Sequence, residues 1–419
     1  MRLLVVGSGG REHALCWTLA QGATVWCAPG NPGTATVATN LPIPPDHPAS
    51  LIDAVRTHRL DAVIIGPEGP LADGLADHLV AAGIPVFGPS AAAAQIEASK
   101  AWAKALMHEA GIPTARSATF TNAPAARSYI DAHAEPLVVK ASGLAAGKGA
   151  VVCATRAEAR SAADAMFDGR FGDAGREVVI ESFLEGEELS VFALTDGEQI
   201  QLLPPAQDHK RLGEGDTGPN TGGMGAYTPV SLATPALLDR AVAQVIRPTL
   251  AAMADRGARY RGVLYAGLMV APDGRPSVIE FNCRFGDPEA QVVLPVADLD
   301  LAATLVAIAR DDWRPTSPVV RARRAAVTTI LAAPGYPETP EKGVAITLPA
   351  TLPAESVLFH AGTRVEGGRL VTAGGRVLCA TGFGVDVPTA AQASRALAEL
   401  VTFDGAQWRR DIGWRELAR

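Results

Sequence analysis

Three polar side chains at the end of one predicted strand have the chemistry of a metal and phosphate site. The apolar, β-branched residues 277–279 predict a strand that continues into Glu280, Asn282 and Arg284. Because side chains alternate across a strand, these three residues share one face. Carboxylate and amide oxygens are suitable ligands for Mg²⁺, and a guanidinium group binds carboxylate or phosphate. A polar strand end that merely faces water is the alternative, but the Gly-Asp-Pro turn that follows favours a ligand site.

A glycine-rich segment between two predicted strands has the composition of a phosphate-binding loop. It follows a strand at 137–140 and contains two lysines and three glycines, Lys140, Gly143, Gly147, Lys148 and Gly149. Glycines let a ligand approach the backbone closely, and the free N–H groups of such a loop bind phosphate oxygens. It is not a Walker A loop, because glycine follows Lys148 and a strand comes next. A flexible hairpin is the alternative.

Lysines are rare in this chain and are concentrated in its polar segments. Only six of the 37 basic residues are lysines. Four of the six lie in segments with a candidate function, at Lys100, Lys140, Lys148 and Lys210. A compact ammonium group in contact with phosphate oxygens would explain why lysine stands where the chain otherwise uses arginine.

Two further segments have the composition needed to complete a nucleotide site. A predicted strand at 178–181 runs into an acidic turn, where extended backbone could bind an adenine and Glu188 could reach ribose hydroxyls. A long, polar, glycine-rich loop is predicted over 207–226, and it begins with Asp208 and Lys210. Loops of this length in a compact domain are usually functional or disordered. An ordinary acidic turn and a solvated charge cluster are the alternatives.

The N-terminal glycines predict an anion site and argue against a dinucleotide site. Gly7, Gly9 and Gly10 form a turn between the first predicted strand and helix, but Glu12 occupies the third glycine position of G-x-G-x-x-G. The second strand lacks the acidic residue that would bind a ribose. A glycine turn at a helix N-terminus suits a phosphate group. A nicotinamide-dependent dehydrogenase is therefore disfavoured.

Composition and charge restrict the class of protein. The chain has 419 residues, 48% of them hydrophobic, and this predicts about two to four domains with substantial cores. A net charge of -7 argues against nucleic acid as a partner, and the absence of long apolar stretches argues against a membrane span. Five scattered cysteines without a C-x-x-C pair indicate reduced thiols and a cytoplasmic location. We expect a monomer.

The order of predicted elements indicates an α/β and α+β multidomain protein. The first 100 residues alternate strands and helices, including a helix at 71–82, and predict a doubly wound parallel sheet. The C-terminal part predicts a mostly β domain with a helix at 389–401. We predict four domains, at residues 1–100, 101–114 with 191–320, 115–190, and 325–419.

Taken together, these segments resemble the ATP-grasp ligases and, within them, the glycinamide ribonucleotide synthetase family. The resemblance covers essentially the whole chain, through residues 6–14, 66–68, 140–149, 207–211, 216–227, 267–289, 374–378 and 411–415. It implies an N-terminal α/β domain, an ATP-grasp core with a small lid domain, and a C-terminal domain. Two positions depart from the family pattern. Ser142 stands where the family usually has Asp, and the strand at 264–269 offers no acidic ligand for a second metal ion.

The resemblance implies a role for each polar segment. It implies that ATP is bound by Lys100, Lys140, Gly143, Gly147, Lys148, Glu181, Phe183, Leu184 and Glu188. It implies that Mg²⁺, or Mn²⁺ in its place, is bound by Glu280 and Asn282. The implied pocket for glycine and 5-phosphoribosylamine comprises Gly9, Gly10, Arg11, Glu68, Asp208, Asn220, Arg284, Gly286 and Asp287. The implied catalytic residues are Lys140, Lys210 and Arg284.

The reaction implied by the resemblance is the ATP-dependent ligation of glycine to 5-phosphoribosylamine. It would pass through glycyl phosphate and give glycinamide ribonucleotide, ADP and phosphate in de novo purine biosynthesis. Phosphoryl transfer needs positioned charges more than covalent help, which agrees with the lack of a nucleophile motif in the sequence. Two alternatives stay open: an ATP-grasp ligase for another acid and amine, and a nucleotide-binding regulator without turnover.

Overall fold

The first unit of the protein is built on a parallel sheet. A computed structural model describes residues 1–145 and 149–419. The elements of this unit are β1 (Arg2–Gly7), α1 (Gly10–Leu19), β2 (Thr24–Pro29), β3 (Thr39–Asn40), α2 (Pro48–His58), β4 (Ala62–Ile65), α3 (Glu68–Ala72), α4 (Leu75–Ala81), β5 (Val86–Phe87), α5 (Ala91–Ala98) and α6 (Lys100–Glu109). The strands pair in the order β3-β2-β1-β4-β5, all parallel, as predicted.

Helices cover both faces of this sheet because the side chains of β1 alternate. Leu4 belongs to the same buried cluster as Leu51 of α2, whereas Leu3 belongs to another with Leu15 of α1. The helix predicted at 71–82 is instead two helices, α3 and α4. Gly74, with a φ of +84°, separates them, because the left-handed backbone that glycine allows cannot continue an α-helix.

The small unit at 117–182 is an antiparallel sheet covered by two helices. Its elements are β6 (Ser117–Phe120), α7 (Ala123–Ala132), β7 (Leu137–Ala141), β8 (Ala150–Cys153), α8 (Arg156–Ala165) and β9 (Val178–Ser182). The strands pair in the order β6-β9-β7-β8. The glycine-rich loop therefore joins the paired strands β7 and β8. Its residues 146–148 lie outside the part of the chain that the structure describes.

The central unit contains the strand with the candidate metal ligands. The elements from 187 to 310 are β10 (Glu187–Thr195), β11 (Ile200–Leu202), β12 (Gln207–Asp208), β13 (Arg211–Gly213), β14 (Thr217–Asn220), β15 (Gly225–Thr228), α9 (Pro235–Ala241), α10 (Arg247–Asp255), β16 (Gly262–Val270), β17 (Pro276–Asn282), α11 (Ala290–Val293) and α12 (Leu301–Arg310). Strands β11-β10-β16-β17 form one antiparallel sheet. None of the helices in the described residues is long and apolar enough to cross a bilayer.

The C-terminal sheet takes two strands from the central part of the chain. The last elements are β18 (Ala325–Ala332), β19 (Ser356–His360), β20 (Thr363–Glu366), β21 (Arg369–Thr372), β22 (Arg376–Gly384), α13 (Val387–Leu400) and α14 (Trp414–Leu417). The sheet order is β12-β15-β18-β22-β19, with β15 antiparallel to β18. The segment 207–226, predicted as a loop, therefore contains strands that join the central unit to the C-terminal sheet.

A buried arginine near the C-terminus holds the hairpin of β13 and β14. The side chain of Arg409 is 0% exposed, and its guanidinium lies 2.9 Å from Asp216 Oδ1 and 2.7 Å from Asp411 Oδ2. It also donates to the carbonyl of Arg211, 3.0 Å away. Arg415 binds the other oxygen of Asp216. The C-terminal segment that contains residues 411–415 thus holds the polar segment 207–226 in place.

A buried histidine joins the N-terminal and C-terminal units. His13 on α1 is 3% exposed, and its Nδ1 accepts a hydrogen bond of 2.8 Å from the backbone N–H of His360. Burial lowers the pKa of His13 to about 3, with a smaller contribution from His360. The ring is therefore neutral in the folded protein at neutral pH. Its unprotonated Nδ1 can then accept the hydrogen bond that joins the two units.

We expect this histidine to make the protein less stable in acid. The folded pKa of about 3 lies below the ordinary value of 6.5, so stability is complete above pH 6.5 and declines as the pH falls towards 3. The slope is about 1.4 kcal/mol per pH unit in that window. Urea unfolding at pH 7, 6 and 5 measures it. His13→Asn, which keeps an acceptor but does not titrate there, should show a smaller loss, whereas exposed His47→Gln should match the wild type. Equal slopes in all three proteins would contradict this assignment.

Candidate active site

One cavity of about 370 Å³ brings together most of the side chains selected from the sequence. Those on its wall are Arg11, Glu68, Lys100, Lys140, Glu181, Phe183, Leu184, Glu188, Asp208, Lys210, Asn220, Glu280, Asn282, Arg284, Gly286 and Asp287. Gly9, Gly10 and Gly143 are not among the residues that line it. Gly147 and Lys148 lie outside the described residues. Lys140 of the small unit and acids of the central unit therefore face one space.

An irregularity in β17 shapes the wall of the cavity. Glu280 pairs with Gly267, but Val278 pairs with Leu268, so the register shifts and Ile279 forms a bulge between them. Glu280 and Asn282 both line the cavity. The bulge leaves the carbonyl of Ile279 outside the ladder, where it accepts a 3.0 Å hydrogen bond from Lys140 Nζ. One strand therefore offers two candidate metal ligands and also holds a lysine.

Lysines surround the carboxylate of Glu280. Burial alone would raise the pKa of Glu280, but the positive charges of Lys210, Lys140 and Lys100 lower it overall, so the carboxylate is ionised at neutral pH. Lys210 Nζ lies 3.6 Å from Glu280 Oε1 and 2.8 Å from Glu188 Oε2. This wall of the cavity has alternating charges that can bind a polyphosphate and a cation together.

Arg284 occupies the centre of a second ion-pair network on the cavity wall. Its Nε lies 3.1 Å from Glu68 Oε2, and its Nη2 lies 2.7 Å from Glu97 Oε1. The other oxygen of Glu97 accepts a hydrogen bond from the backbone N–H of Cys283. Burial by itself would raise the pKa of Glu68, but Arg284 and Arg11 lower it to about 2. The two arginines can bind a carboxylate or phosphate group of a ligand, and the ionised acid next to them can bind an amine.

The C-terminal unit contributes a positively charged side chain to the same cavity. Arg376 of β22 donates to the carbonyls of Gly222 and Asp287, and its Nη2 lies 3.4 Å from Asp287 Oδ1. Burial would raise the pKa of Asp287, but Arg376 and Arg11 lower it overall. The C-terminal unit, whose role the sequence left open, therefore forms part of the cavity wall.

The sequence did not identify every polar residue of this cavity. The residues that line it without having been selected include Glu97, Lys104, Tyr265, Glu289 and Arg376. Lys104 had a usable signal, since it is one of only six lysines, and Arg376 follows two glycines. Glu97 had none, because it lies in an alanine-rich helix and its partner Arg284 is 187 residues away.

The donor atoms present fit a hard divalent cation. Glu280 supplies an ionised carboxylate and Asn282 an amide oxygen, both on the same wall as the lysines. In residues 1–145 and 149–419 there is no group of three His, Cys, Asp or Glu residues arranged for a metal. A cation here would therefore complete its coordination with ligand oxygens and water, as Mg²⁺ does in nucleotide sites.

Models of one family match three successive parts of this chain. The phosphoribosylglycinamide synthetase N domain matches residues 1–97, the ATP-grasp (A) domain matches 98–290, and the C domain matches 326–415. The phosphoribosylamine–glycine ligase of a Nostoc species is 50% identical over 422 residues, which cover 99% of each chain. The family suggested by the sequence motifs is thus found by comparison over the full length.

Solved structures show the same fold. The phosphoribosylamine–glycine ligase of Thermotoga maritima superposes with a TM-score of 0.84 at 36% identity, covering 98% of this chain and 100% of that one. The biotin carboxylase domain of a Hydrogenobacter thermophilus carboxylase, solved with magnesium and ADP, has a TM-score of 0.72 at 17% identity, with coverage of 97% and 91%, and this likeness concerns the fold alone. With all three of its domains matched, this chain belongs to the phosphoribosylglycinamide synthetase family of ATP-grasp proteins.

Proposed function

We propose that the cavity joins glycine to 5-phosphoribosylamine with ATP and releases glycinamide ribonucleotide, ADP and phosphate. The observation that carries this proposal is the shared cavity of Lys140 and Glu280, which come from different units of the protein. The cavity wall contains two groups of side chains that differ in chemistry. Lysines, Glu280 and Asn282 suit a nucleotide and cation, and Arg284, Arg11 and Asp287 suit the acid and the amine.

The proposed reaction has two steps. First, the carboxylate of glycine attacks the γ-phosphorus of ATP, which forms glycyl phosphate and releases ADP. The amine of 5-phosphoribosylamine then attacks the carbonyl carbon, and phosphate leaves as the amide forms with loss of a proton. These steps need charge neutralisation and alignment, and the cavity provides both. A bound Mg²⁺ would neutralise charge on the phosphates.

Each residue has a task in this scheme. Lys100, Lys140 and Lys210 hold the phosphates, Glu188 binds the ribose, and the backbone of 181–184 binds adenine. Glu280 and Asn282 hold Mg²⁺, for which Mn²⁺ can substitute. Arg284, Arg11, Glu68, Asp208, Asn220, Gly286 and Asp287 hold the acid and the amine, and the turn of Gly9 and Gly10 lies beside them. Exclusion of water from the cavity would protect the acyl phosphate from hydrolysis.

We also propose the organisation and setting of this protein. The domain limits are residues 1–100, 101–114 with 191–320, 115–190 as the lid, and 325–419. The chain acts as a monomer in the cytoplasm, without a nucleic-acid or membrane partner. Its five cysteines are all unpaired, which supports a reducing compartment.

A coupled ADP assay tests the proposed function. Glycine and freshly generated 5-phosphoribosylamine should both be required for ADP release, and the product should contain both in equal amounts. A panel of other acids and amines separates this reaction from those of other ATP-grasp ligases. Turnover with a different pair only would overturn the assignment of substrates. ATP binding without phosphate release under any pair would indicate a regulator.

We expect Lys140→Arg to bind ATP poorly although the charge is retained. The Nζ atom lies 3.1 Å from Glu181 Oε2 and 3.0 Å from the carbonyl of Ile279, in a site where the side chain is 6% exposed. A planar guanidinium group is larger and cannot occupy this position without moving these partners. The KM for ATP should rise about tenfold or more, equivalent to ~1.4 kcal/mol. Surface Arg323→Lys is the control, and a wild-type KM for ATP in Lys140→Arg would contradict a direct phosphate contact.

A further inference from the structure

We propose that Lys104 is a positioning residue that keeps Lys140 available for the nucleotide by sharing the negative charge of Glu181. The inference rests on the ATP site of the proposed function and adds a residue outside the contacts assigned there. Lys104 lies on α6, four residues after Lys100, and lines the cavity. One turn of a helix therefore directs two lysines towards the same space.

The ammonium group of Lys104 is buried and has two partners. The residue is 4% exposed, and its Nζ donates a 2.7 Å hydrogen bond to Thr114 Oγ1. It also forms an ion pair with Glu181, whose Oε1 lies 3.1 Å away. Burial lowers the pKa of Lys104 to about 8, while Glu181 opposes this shift, so the ammonium is still mostly protonated at pH 7.

Glu181 stands between two lysines that come from different elements. Its Oε1 faces Lys104 of α6, and its Oε2 lies 3.1 Å from Nζ of Lys140 on β7. The side chains of all three residues are at most 6% exposed, so water screens these charges weakly. The cluster therefore holds two positive charges and one negative charge beside the cavity.

The excess positive charge has a direct consequence for a nucleotide. With both lysines present, the carboxylate neutralises only half of the positive charge, and the remaining charge attracts phosphate oxygens. Without Lys104, Glu181 and Lys140 would form a closed, neutral pair, and Lys140 would have to leave a buried carboxylate in order to bind phosphate. Such a separation is costly in a weakly screened site. Loss of Lys104 should therefore weaken nucleotide binding through Lys140.

A purely structural role for Lys104 makes a different prediction. Thr114 Oγ1, which accepts from Lys104, donates a 2.7 Å hydrogen bond to the carbonyl of Val278 on β17. Lys104 could thus serve only to tie α6 to the strand that carries Glu280. In that case its removal would lower stability and leave nucleotide affinity unchanged. A direct contact of Lys104 with the nucleotide would instead give losses that add to those from Lys140.

A double-mutant cycle on ADP affinity distinguishes these roles. The proteins are wild type, Lys104→Met, Lys140→Met and the double variant, titrated calorimetrically with Mg²⁺–ADP, with exposed Lys342→Met as the control. We expect each active-site change to weaken binding about tenfold and the double variant to bind like Lys140→Met, because Lys104 acts through Lys140. The KM for ATP should rise in Lys104→Met while the KM for glycine stays within about twofold.

Several outcomes would overturn the inference. Additive losses in the double variant would indicate direct contact, and wild-type ADP affinity in Lys104→Met with reduced stability would indicate a structural tie only. If Lys104→Met does not fold, Lys104→Gln, which can still donate to Thr114, replaces it in the same cycle with the same expected result. Failure of the wild-type protein itself to bind ADP would refute the proposed function, whereas normal wild-type binding with an unaffected Lys104 variant refutes this inference alone.

Discussion

Glu280→Gln is expected to reduce ligase turnover by ~100-fold or more while the protein stays folded. The change removes the only carboxylate among the two candidate metal ligands, yet keeps the size of the side chain. Mutation of residues that only orient metal ligands typically lowers metal affinity or activity by about 10–100-fold. Loss of a ligand should lower them at least as much. The measurement is kcat across a range of Mg²⁺ concentrations, together with the thermal unfolding temperature.

The controls for this variant separate metal binding from charge balance. Asn282→Ala should also lose activity, because it removes the second oxygen ligand without any change in charge. Glu289→Gln removes another carboxylate of the same cavity wall that was not assigned to the metal, and it should retain a wild-type dependence on Mg²⁺. Normal turnover in both Glu280→Gln and Asn282→Ala would refute the metal assignment.

Arg409→Met should destabilise the protein by ~3 kcal/mol or more, the largest effect on stability that we expect from a single change. The variant leaves Asp411 without its arginine, and it deprives Asp216 and the carbonyl of Arg211 of a buried donor. The arginine is fully buried and the two carboxylates are only 22–23% exposed, so its removal leaves a poorly solvated negative charge without compensation. Chemical denaturation of the full chain measures the loss.

The neighbouring arginine provides a matched control. The side chain of Arg410 is 64% exposed and lies 3.9 Å from Glu214, so Arg410→Met should cost less than ~1 kcal/mol. Adding Asp411→Asn to Arg409→Met should restore ~1 kcal/mol, because it removes the unpaired carboxylate. The ion-pair argument would be wrong if Arg409→Met unfolded at the same denaturant concentration as the wild type.

Regular hydrophobic patterns made much of the fold predictable from sequence. The five-stranded parallel sheet follows from apolar runs such as Leu3–Val6 that alternate with helical segments, and the fold class is confirmed by the solved relative. The segment 207–226 was predicted as a loop because its glycines and charges have no two-residue period. Strands β13 and β14 pair locally with each other, but β15 exists through pairing with residues distant in sequence, such as Gly225 with Thr329, which local pattern cannot reveal.

The candidate site was predictable where one strand or loop concentrates several polar groups. Glu280, Asn282 and Arg284 were found because a strand period places them on one face. Glu97 and Lys104 were missed because each lies on a helix and its significance depends on a partner supplied by tertiary structure. A single charged residue in a helix is usually solvated, so nothing local distinguishes Glu97, and only the rarity of lysine in this chain distinguishes Lys104.

The pairing of β15 with β18 has a consequence for any shortened version of this protein. A fragment that ends near residue 324 would lose the neighbour of β15 and expose the backbone of that strand along one edge. Unprotected edges of this kind recruit other chains, so such a fragment should aggregate when it is produced on its own. The reverse fragment would begin with β18 and lack the same pairing. Exchange of the C-terminal domain between proteins during evolution is therefore constrained. Any replacement domain would have to supply a strand that pairs with β15.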